Sequence, residues 1–327
     1  MEETKNEKLI AVKFKMKRPF KIAISGGSGF IGQHLLEELS SSSHFFRIIT
    51  RDLSKKINNI PLNSEIVNAD LTNYDSLKKA FEGIDIIVNI AAEVRDQKKL
   101  AETNISGTEN LIKAALENKV SKIIHLSSVG VVGMQYSGSA CVVSEGTGCD
   151  PKNEYERTKL ESERLLKEAR NQNNFLLTIL RPTNVFGEHH PYNALLHLIN
   201  HINSGKITLC SRSSMVNYVY VKDLTNLIRV LIDDDKEYGI LNVGDSQELP
   251  SLLKCIAVEL GKKANILILP QFLFNFSEMV GIKKLRSISN HVIYNDGKLK
   301  AFFHYPYGFQ KGLSSTIEYY KDQKLIK

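Results

Sequence analysis

A phenol and an ammonium group lie four residues apart in the segment Tyr155-Glu156-Arg157-Thr158-Lys159. Positions i and i+4 of a helix share one face, so a helix here places Tyr155 beside Lys159. A phenol with a pKa near 10 is a weak base at neutral pH, and a nearby cation stabilises its phenolate. The spacing indicates a tyrosine acid–base assisted by a lysine, although a surface pair on a helix has the same pattern.

A serine lies where such an acid–base needs a partner. Ser128 directly follows the largely apolar run Lys122–Ser127, which predicts a β-strand. Ligands of parallel α/β sheets bind at the carboxyl ends of the strands. We therefore expect Ser128 to hydrogen-bond a substrate hydroxyl or carbonyl oxygen opposite Tyr155.

A glycine-rich segment, Gly26–Gly32, reads GGSGFIG and satisfies both G-x-x-G-x-x-G and G-x-G-x-x-G. It follows the apolar run Phe20–Ser25 and opens the stretch Gly29–Leu39, whose apolar residues have helical spacing. Glycine is needed where the turn is tight and the backbone approaches a pyrophosphate held by free helix amides. Because a strand precedes it and a helix follows it, the motif predicts a dinucleotide site.

The end of the second predicted strand indicates which dinucleotide binds. The chain reads Ile48-Ile49-Thr50-Arg51-Asp52 at this point. A carboxylate here binds the ribose 2′-hydroxyl of NAD, whereas an arginine accommodates the 2′-phosphate of NADP. Arg51 favours NADP, and NAD remains the alternative because Asp52 follows immediately.

Apolar runs alternate with helical stretches through the first half of the chain. The later predicted strands are Phe46–Thr50, Glu65–Asn68, Ile84–Ile90, Lys122–Ser127 and Phe175–Arg181, and the longer helical stretches are Leu100–Asn118 and Tyr155–Arg170. Such alternation implies parallel pairing through right-handed crossovers. The sequence therefore predicts an α/β protein with a doubly wound parallel sheet.

Three regions are expected along the chain. Residues 1–19 form a basic N-terminal extension, residues 20–182 the dinucleotide-binding domain, and residues 183–327 a smaller α/β substrate-binding cap interleaved with it. The stretch Gly130–Lys152 is long and lacks helical periodicity, and connections of this length in compact domains are commonly functional loops.

Composition excludes several classes of protein. With 42% hydrophobic and 24% charged residues in 327, the chain is typical of a soluble globular protein. Of its net charge of +7, residues 1–21 carry +4, because seven Lys or Arg there face three Glu. The remainder is near balance, so we do not expect nucleic-acid binding.

Targeting and metal signals are also missing from the sequence. No apolar run approaches the roughly 18 residues that span a bilayer, and the basic extension lacks the apolar core of a signal peptide. The four cysteines have no CxxC spacing and no histidine at metal-ligand spacing. We expect a cytoplasmic protein with free thiols, no membrane span and no metal site.

Taken together, the motifs resemble those of the extended short-chain dehydrogenase/reductase family, which includes nucleotide-sugar epimerases, dehydratases and reductases. The resemblance runs from Phe20 to Tyr320. Its motifs are GGSGFIG at Gly26–Gly32, ADL at Ala69–Leu71, N-x-A-A at Asn89–Ala92, N-x-x-G-T at Asn104–Thr108, SSVGVVG at Ser127–Gly133, YERTK at Tyr155–Lys159, RPTNVFG at Arg181–Gly187, NYVYVKDL at Asn217–Leu224 and P-x-G-F-x-x-G-L-x-x-T-I-x-Y-Y at Pro306–Tyr320.

The resemblance implies a Rossmann fold and a set of site residues. The catalytic group is Ser128, Tyr155 and Lys159, with Lys159 lowering the pKa of Tyr155 and holding the nicotinamide ribose. Asn184 would contact the substrate diphosphate, and Asn104 would be structural, at a helix kink or a sheet hydrogen bond. With the strand-end argument for Arg51, the expected cofactor contacts are Gly26, Gly29, Phe30, Ile31, Gly32, Arg51, Asp70, Leu71, Ala91, Ala92, Tyr155, Lys159 and Pro182.

Two departures from the family pattern restrict the reaction. The 4,6-dehydratases carry an acid in the segment where this chain has Val129 and Gly130, so elimination of water is not expected. Many UDP-sugar epimerases place an arginine where this chain has Val216, with Arg212 four residues upstream. This difference puts the usual diphosphate contact in doubt.

The expected function is NAD(P)-dependent oxidation or reduction at a secondary alcohol or ketone carbon of a small molecule, a nucleotide-linked sugar. The leading reactions are 4-epimerisation and 4-keto reduction, and a homodimer is a candidate assembly. The alternatives are an NADP-dependent steroid- or flavonoid-type alcohol dehydrogenase and a non-catalytic NADP-sensing protein.

Overall fold

The protein is described here by a computed structural model that covers residues 19–133, 141–190, 194–270, 273 and 291–326. The N-terminal extension expected at residues 1–19 lies outside these ranges except for its last residue. Part of the long connection expected at 130–152 also lies outside them. Within the described ranges, none of the helices has the length and apolar character needed to cross a membrane.

The strands and helices alternate along most of the chain. Numbered in chain order, the strands are β1 (Lys21–Ser25), β2 (Phe45–Thr50), β3 (Ser64–Asn68), β4 (Ile86–Asn89), β5 (Lys122–Leu126), β6 (Cys141–Val143), β7 (Leu176–Pro182), β8 (Asn184–Phe186), β9 (Thr208–Ser211), β10 (Met215–Tyr220), β11 (Gly239–Val243), β12 (Asp245–Glu248), β13 (Ile266–Leu269) and β14 (Val292–Tyr294). The α-helices are α1 (Phe30–Glu38), α2 (Tyr74–Ala80), α3 (Gly107–Glu117), α4 (Glu154–Gln172), α5 (Ala194–Asn203), α6 (Val221–Asp233), α7 (Leu249–Glu259), α8 (Gly297–Lys300) and α9 (Gly308–Asp322).

Seven of these strands form one sheet in the order β11-β7-β5-β4-β1-β2-β3. Every pairing in it is parallel. The sequence order reverses between β1 and β4, which places a crevice at the carboxyl ends of these two strands. The prediction of a doubly wound parallel sheet is confirmed.

Both faces of the sheet are buried, which is why its strands read as continuous apolar runs. Ala23 and Ile87 face a cluster to which α2, α3 and α4 contribute Leu77, Leu111 and Leu166. On the other face, Ile22 and Ile24 pack with side chains of α1 and α6. Two helical layers therefore fix the strand ends that carry the predicted site residues.

The C-terminal part of the chain builds smaller sheets beside the main one, in the orders β12-β10-β8 and β13-β9. They lie over a third buried cluster, which includes Phe186, Leu253 and Ile317. The same part of the chain returns α6 and β11 to the main sheet.

Two elements differ from the sequence-based expectation. The stretch expected to be one helix, Leu100–Asn118, begins with a π-helical turn at Ala101–Ser106 before α3. The apolar run Tyr218–Val221 predicts a strand, but β10 ends at Tyr220 and Val221 begins α6. The apolar run continues unbroken from strand into helix, so apolar character alone does not mark this boundary.

Candidate active site

A cavity of about 420 Å³ lies at the carboxyl-terminal edge of the sheet. The ends of β1, β2, β3 and β4 surround it, because parallel strands present all their carboxyl ends at one edge. The cofactor contacts predicted before residue 93 all line this one cavity, namely Gly26, Gly29, Phe30, Ile31, Gly32, Arg51, Asp70, Leu71, Ala91 and Ala92.

The glycine-rich turn forms the floor of the cavity and fits a dinucleotide pyrophosphate. Gly26 has a φ of +80°, and a Cβ built on it would lie 2.8 Å from the backbone nitrogen of Ala91. A Cβ on Gly32 would lie 2.1 Å from the carbonyl oxygen of Gly26, so neither position has room for a side chain. Helix α1 begins beyond Gly29 without a side-chain cap. Its first amides are therefore available to an anion.

Charged side chains line the part of the cavity next to β2. Arg51 and Lys55 both line it. Asp52 instead folds onto its own turn, where its Oδ1 accepts hydrogen bonds from the Ser54 backbone nitrogen at 2.9 Å and from the Ser54 hydroxyl at 2.6 Å. These bonds lower the pKa of the Asp52 carboxyl. Cations, rather than Asp52, therefore border this end of the cavity.

Glu93 also lines the cavity, which the sequence analysis did not predict. Its Oε1 accepts hydrogen bonds from the backbone nitrogens of Val94 and Arg95 at 3.0 Å and of Asp96 at 3.2 Å. These bonds lower the pKa of its carboxyl group. The sequence feature that could have predicted this was the position of Glu93 directly after Ala92, a predicted cofactor contact.

The predicted acid–base pair lies on α4, as its spacing required. The helix begins after Asn153, whose side chain accepts a hydrogen bond from the Glu156 backbone nitrogen. Burial, and secondarily the Glu156 carboxylate, raises the pKa of Tyr155 to about 12. The sequence predicted that Lys159 lowers the pKa of Tyr155, whereas the pKa in the protein is raised. The phenol therefore keeps its proton at neutral pH.

Lys159 is almost completely buried, with 2% of its surface exposed. Its Nζ donates to the carbonyl oxygen of Leu126 at 2.6 Å and lies 3.2 Å from Nε2 of His125. Burial lowers the pKa of Lys159 to about 8, opposed by the negative charge of Glu163. The ammonium is thus held toward the end of β5.

Ser128 lies where the strand-end argument placed it, directly beyond β5 and Ser127. It begins a short 3₁₀ turn, Val129–Val132, and its Oγ accepts a hydrogen bond from the Gly130 backbone nitrogen at 3.0 Å. The hydroxyl is half-buried and keeps its own proton for donation. This arrangement suits a group that orients a substrate oxygen.

Asn104 joins the loop at Glu93 to helix α4. It lies in the π-helical turn, where its Oδ1 accepts from the Glu93 backbone nitrogen at 2.8 Å. Its Nδ2 donates to the Glu93 carbonyl oxygen and to Oγ1 of Thr158, each at 3.0 Å. Its side chain is therefore engaged in structural hydrogen bonds.

The remaining predicted residues lie on later strands, one in the main sheet and the others in or before the three-stranded sheet. Pro182 is buried at the end of β7, beside Val243 of β11. Asn184 is exposed on β8, where its Nδ2 donates to the carbonyl oxygen of Asn217 at 3.0 Å. Val216 is half-buried on β10 and Arg212 is exposed before it.

A doubly wound parallel sheet with a glycine turn beneath a cavity, with Ser128 beyond the adjacent strand β5 and with Tyr155 and Lys159 on one helix, defines an NAD(P)-binding protein of the extended short-chain dehydrogenase/reductase class. The model of the NAD dependent epimerase/dehydratase family matches residues 22–244. The chain belongs to this family.

Known proteins similar to this chain include sugar 4-epimerases. It is 28% identical over 244 residues to the N-acetyl-alpha-D-glucosaminyl-diphospho-ditrans,octacis-undecaprenol 4-epimerase of Escherichia coli O157:H7, with 70% of this chain and 65% of that relative covered. It thus spans just under two thirds of that relative's length. It is 25% identical to a putative UDP-glucose 4-epimerase of Methanocaldococcus jannaschii, covering 73% of this chain and 82% of the relative.

A solved structure agrees with the fold. The UDP-glucose 4-epimerase of Thermotoga maritima with UDP-glucose superposes with a TM-score of 0.73 at 20% identity, covering 93% of this chain and 99% of that one. At this identity the likeness establishes the architecture alone.

Proposed function

We propose that this protein is an NAD(P)-dependent 4-epimerase of a nucleotide-linked hexose. The observation that supports the proposal most directly is that Lys159, on the same helix as Tyr155, donates to the Leu126 carbonyl oxygen at the end of β5, two residues before Ser128. Family membership and the named activities of the two relatives support the same reaction.

The chain's own groups divide the work of such a reaction. When bound, NAD(P) supplies a hydride acceptor that becomes the hydride donor of the return step. Tyr155 takes the proton of the C4 hydroxyl and later returns it, which is general acid–base catalysis. The Lys159 ammonium favours the phenolate by its charge. Ser128 donates its hydroxyl proton to the sugar oxygen and fixes its direction.

Elimination of water is disfavoured by the segment after Ser128. Val129 and Gly130 supply no carboxyl group. A Cβ built on Gly130 would lie 3.1 Å from Cγ of Glu156, so a larger side chain there requires Glu156 to move. This arrangement favours an epimerase or a reductase over a dehydratase.

A 4-keto reductase using NADPH is the second candidate, and the two cations at the cavity favour it. Arg51 and Lys55 suit a dissociable NADPH, which a net reduction consumes. A steroid- or flavonoid-type alcohol dehydrogenase remains the alternative by substrate class, because Val216 removes one diphosphate ligand. A non-catalytic NADP sensor would bind cofactor without turnover.

Identifying the small molecules that co-purify with the protein tests the proposal. Denatured protein is extracted, and the cofactor and sugars are measured by mass spectrometry. Tightly retained oxidised cofactor, with turnover of a UDP- or dTDP-hexose to its 4-epimer, is the expected result. An empty site that oxidises NADPH only with a keto-sugar would replace the epimerase by the reductase.

We further propose that the cofactor is NADP, and Arg51→Ala tests this preference. A 2′-phosphate gains a charge-assisted, bidentate contact from Arg51 that a 2′-hydroxyl cannot match. Because hydrogen bonds to charged groups are worth about 1.5–3 kcal/mol, the wild type should prefer NADP by roughly 10- to 150-fold. The variant should lose most of that preference, measured by titrating each dinucleotide calorimetrically.

Lys56→Ala is the matched control for this experiment. It also removes one positive charge, and Lys56 is an exposed neighbour of the cavity residue Lys55. Its two affinities should stay near those of wild type. If wild-type protein binds NAD as tightly as NADP, Arg51 does not select the cofactor and the preference for NADP is wrong.

A further inference from the structure

Three buried polar residues form one row across three neighbouring strands of the main sheet. Ser25 pairs in register with Asn89, and Asn89 with His125, across β1, β4 and β5. The row two residues earlier on the same face is Ala23, Ile87 and Ile123, which belong to the core. The three polar side chains have 3%, 1% and 1% of their surface exposed.

The row connects the cofactor cavity to Lys159. Ser25, at one end, lines the cavity, and its Oγ lies 2.5 Å from Oδ1 of Asn89. Nδ2 of Asn89 lies 3.0 Å from Nδ1 of His125. At the other end, Nε2 of His125 lies 3.2 Å from Nζ of Lys159. Buried polar atoms thus form a continuous chain.

The hydrogen bonds along this row of side chains can run in either of two donor-to-acceptor directions. In the direction shown, Ser25 donates to Asn89 and Asn89 donates to Nδ1, so a neutral imidazole carries its proton on Nε2. That proton faces Nζ, and only an uncharged amine can accept it. An ammonium has no lone pair, so it requires the ring proton on Nδ1 and the Asn89 carboxamide turned over.

His125 is suited to this change because it stays neutral. Burial and the charge of Lys159 lower its pKa well below the usual value for histidine. Of the described titratable groups, His125 contacts Lys159 and the charge of Glu163 acts on it. Glu163 is itself paired with Arg181 of β7, and Tyr155 lies one helical turn before Lys159 on α4 with Glu156 beside it.

We propose that His125 is a positioning residue for Lys159, changing between its two neutral tautomers as the lysine gains or loses a proton. In this way the contact between His125 and Nζ remains a hydrogen bond in both states, beside the bond from Nζ to the Leu126 carbonyl oxygen. When Lys159 is charged, the reversed row turns the Ser25 hydroxyl proton toward the cofactor cavity. Only the importance of Lys159 for catalysis rests on the proposed function. The contacts between Ser25, Asn89, His125 and Lys159 do not depend on the substrate.

Nitrogen NMR of wild-type protein with ¹⁵N-labelled histidine tests the tautomer directly. The pKa of Lys159 is about 8, so His125 should change from the Nδ1–H form at pH 7 to the Nε2–H form at pH 9. His125→Gln identifies the signal by its loss. One unchanged tautomer across this range, while Lys159 titrates, would overturn the proposal.

The pH dependence of the free energy of unfolding gives an independent test, and the direction of that dependence can be worked out in advance. Between pH 8 and 10.5 the unfolded chain holds a proton on Lys159 that the folded chain has lost, so this lysine makes stability rise with pH. A hydrogen bond to a charged group is worth about twice one between neutral groups. His125→Leu should therefore lower the pKa of Lys159 by about one pH unit.

The expected consequence is a destabilisation of His125→Leu that shrinks as pH rises. Relative to wild type, its folding equilibrium constant should increase about fivefold from pH 7 to pH 9. His125→Gln keeps a donor and an acceptor, so its ratio to wild type should stay flat. A flat ratio for His125→Leu would mean that His125 only fills space.

These results are separable from the proposed function. Neither the tautomer nor the folding equilibrium uses turnover, so a protein that acts on none of the tested sugars still answers the question. If His125→Leu does not fold, the wild-type tautomer measurement alone decides.

Discussion

Replacing Tyr155 with phenylalanine is expected to lower kcat by about 10²–10⁴-fold, the usual contribution of a general acid–base group. The variant loses only the hydroxyl, so the half-buried ring keeps its packing on α4. The dissociation constant of NAD(P) should stay within about twofold, because the glycine turn and the ends of β2 and β3 form the cavity. Steady-state kinetics and cofactor titration on the same sample measure both quantities.

Tyr238→Phe is the matched control for this experiment. It also removes one phenol hydroxyl, here one that donates to Asp234 at 2.6 Å near the C-terminal end of α6. Its kcat should remain near that of wild type. If Tyr155→Phe keeps wild-type turnover, then Tyr155 is not the acid–base and the proposed mechanism fails.

The pH profile of the wild type follows from the two opposed shifts. The pKa of Lys159 is lowered to about 8 and that of Tyr155 is raised to about 12. Between these two pH values Tyr155 and Lys159 together hold one titratable proton. The form with phenolate and ammonium, which can accept the substrate proton, has the same number of protons as the form with phenol and amine, so its share of the protein does not change with pH in this range. Alcohol oxidation should therefore rise with pH toward about 8 and then level off.

That many of the predicted cofactor contacts would line one cavity could be foreseen, because the signals for them are local. The glycine motif is contiguous between Gly26 and Gly32, and the other contacts are strand ends. Once the strands are taken as parallel, their carboxyl ends must meet at one edge. The i, i+4 spacing similarly placed Tyr155 and Lys159 on one helix.

What the sequence did not reveal depends on register and burial. The contact of Asn89 with Ser25 spans 64 residues, and that with His125 spans 36. Whether they share a row depends on strand pairing, which no local pattern specifies. The direction of the Tyr155 pKa shift was missed for the same reason, since the depth of burial is a tertiary property.

A second large effect is expected at the buried ion pair between α4 and β7. Glu163 of α4 and Arg181 of β7 are joined by two hydrogen bonds, at 2.9 Å from Nε and 2.6 Å from Nη2. Their side chains are 0% and 2% exposed. Ser127, which precedes Ser128, donates to the same carboxylate at 2.5 Å. The pair therefore ties the end of β5 to α4 and β7.

Arg181→Met should lower the free energy of unfolding by about 3–5 kcal/mol, because it leaves the Glu163 carboxylate buried without its counter-charge. The double variant Glu163→Leu with Arg181→Met should recover much of this loss, since apolar side chains of similar volume frequently replace a buried pair at little cost. Urea unfolding followed by circular dichroism measures the three proteins under identical conditions.

Arg164→Met is the control that distinguishes loss of a buried ion pair from loss of an arginine charge. Arg164 lies on the same helix and pairs with Glu161 at 2.6 Å, but its side chain is 52% exposed. Solvent screens such a pair, so this variant should leave the unfolding midpoint nearly unchanged. Equal losses in Arg164→Met and Arg181→Met would show that desolvation of Glu163 is not the cause. A double variant less stable than Arg181→Met alone would show that the hydrogen bond from Ser127 to Glu163 matters more than the charge balance of the pair.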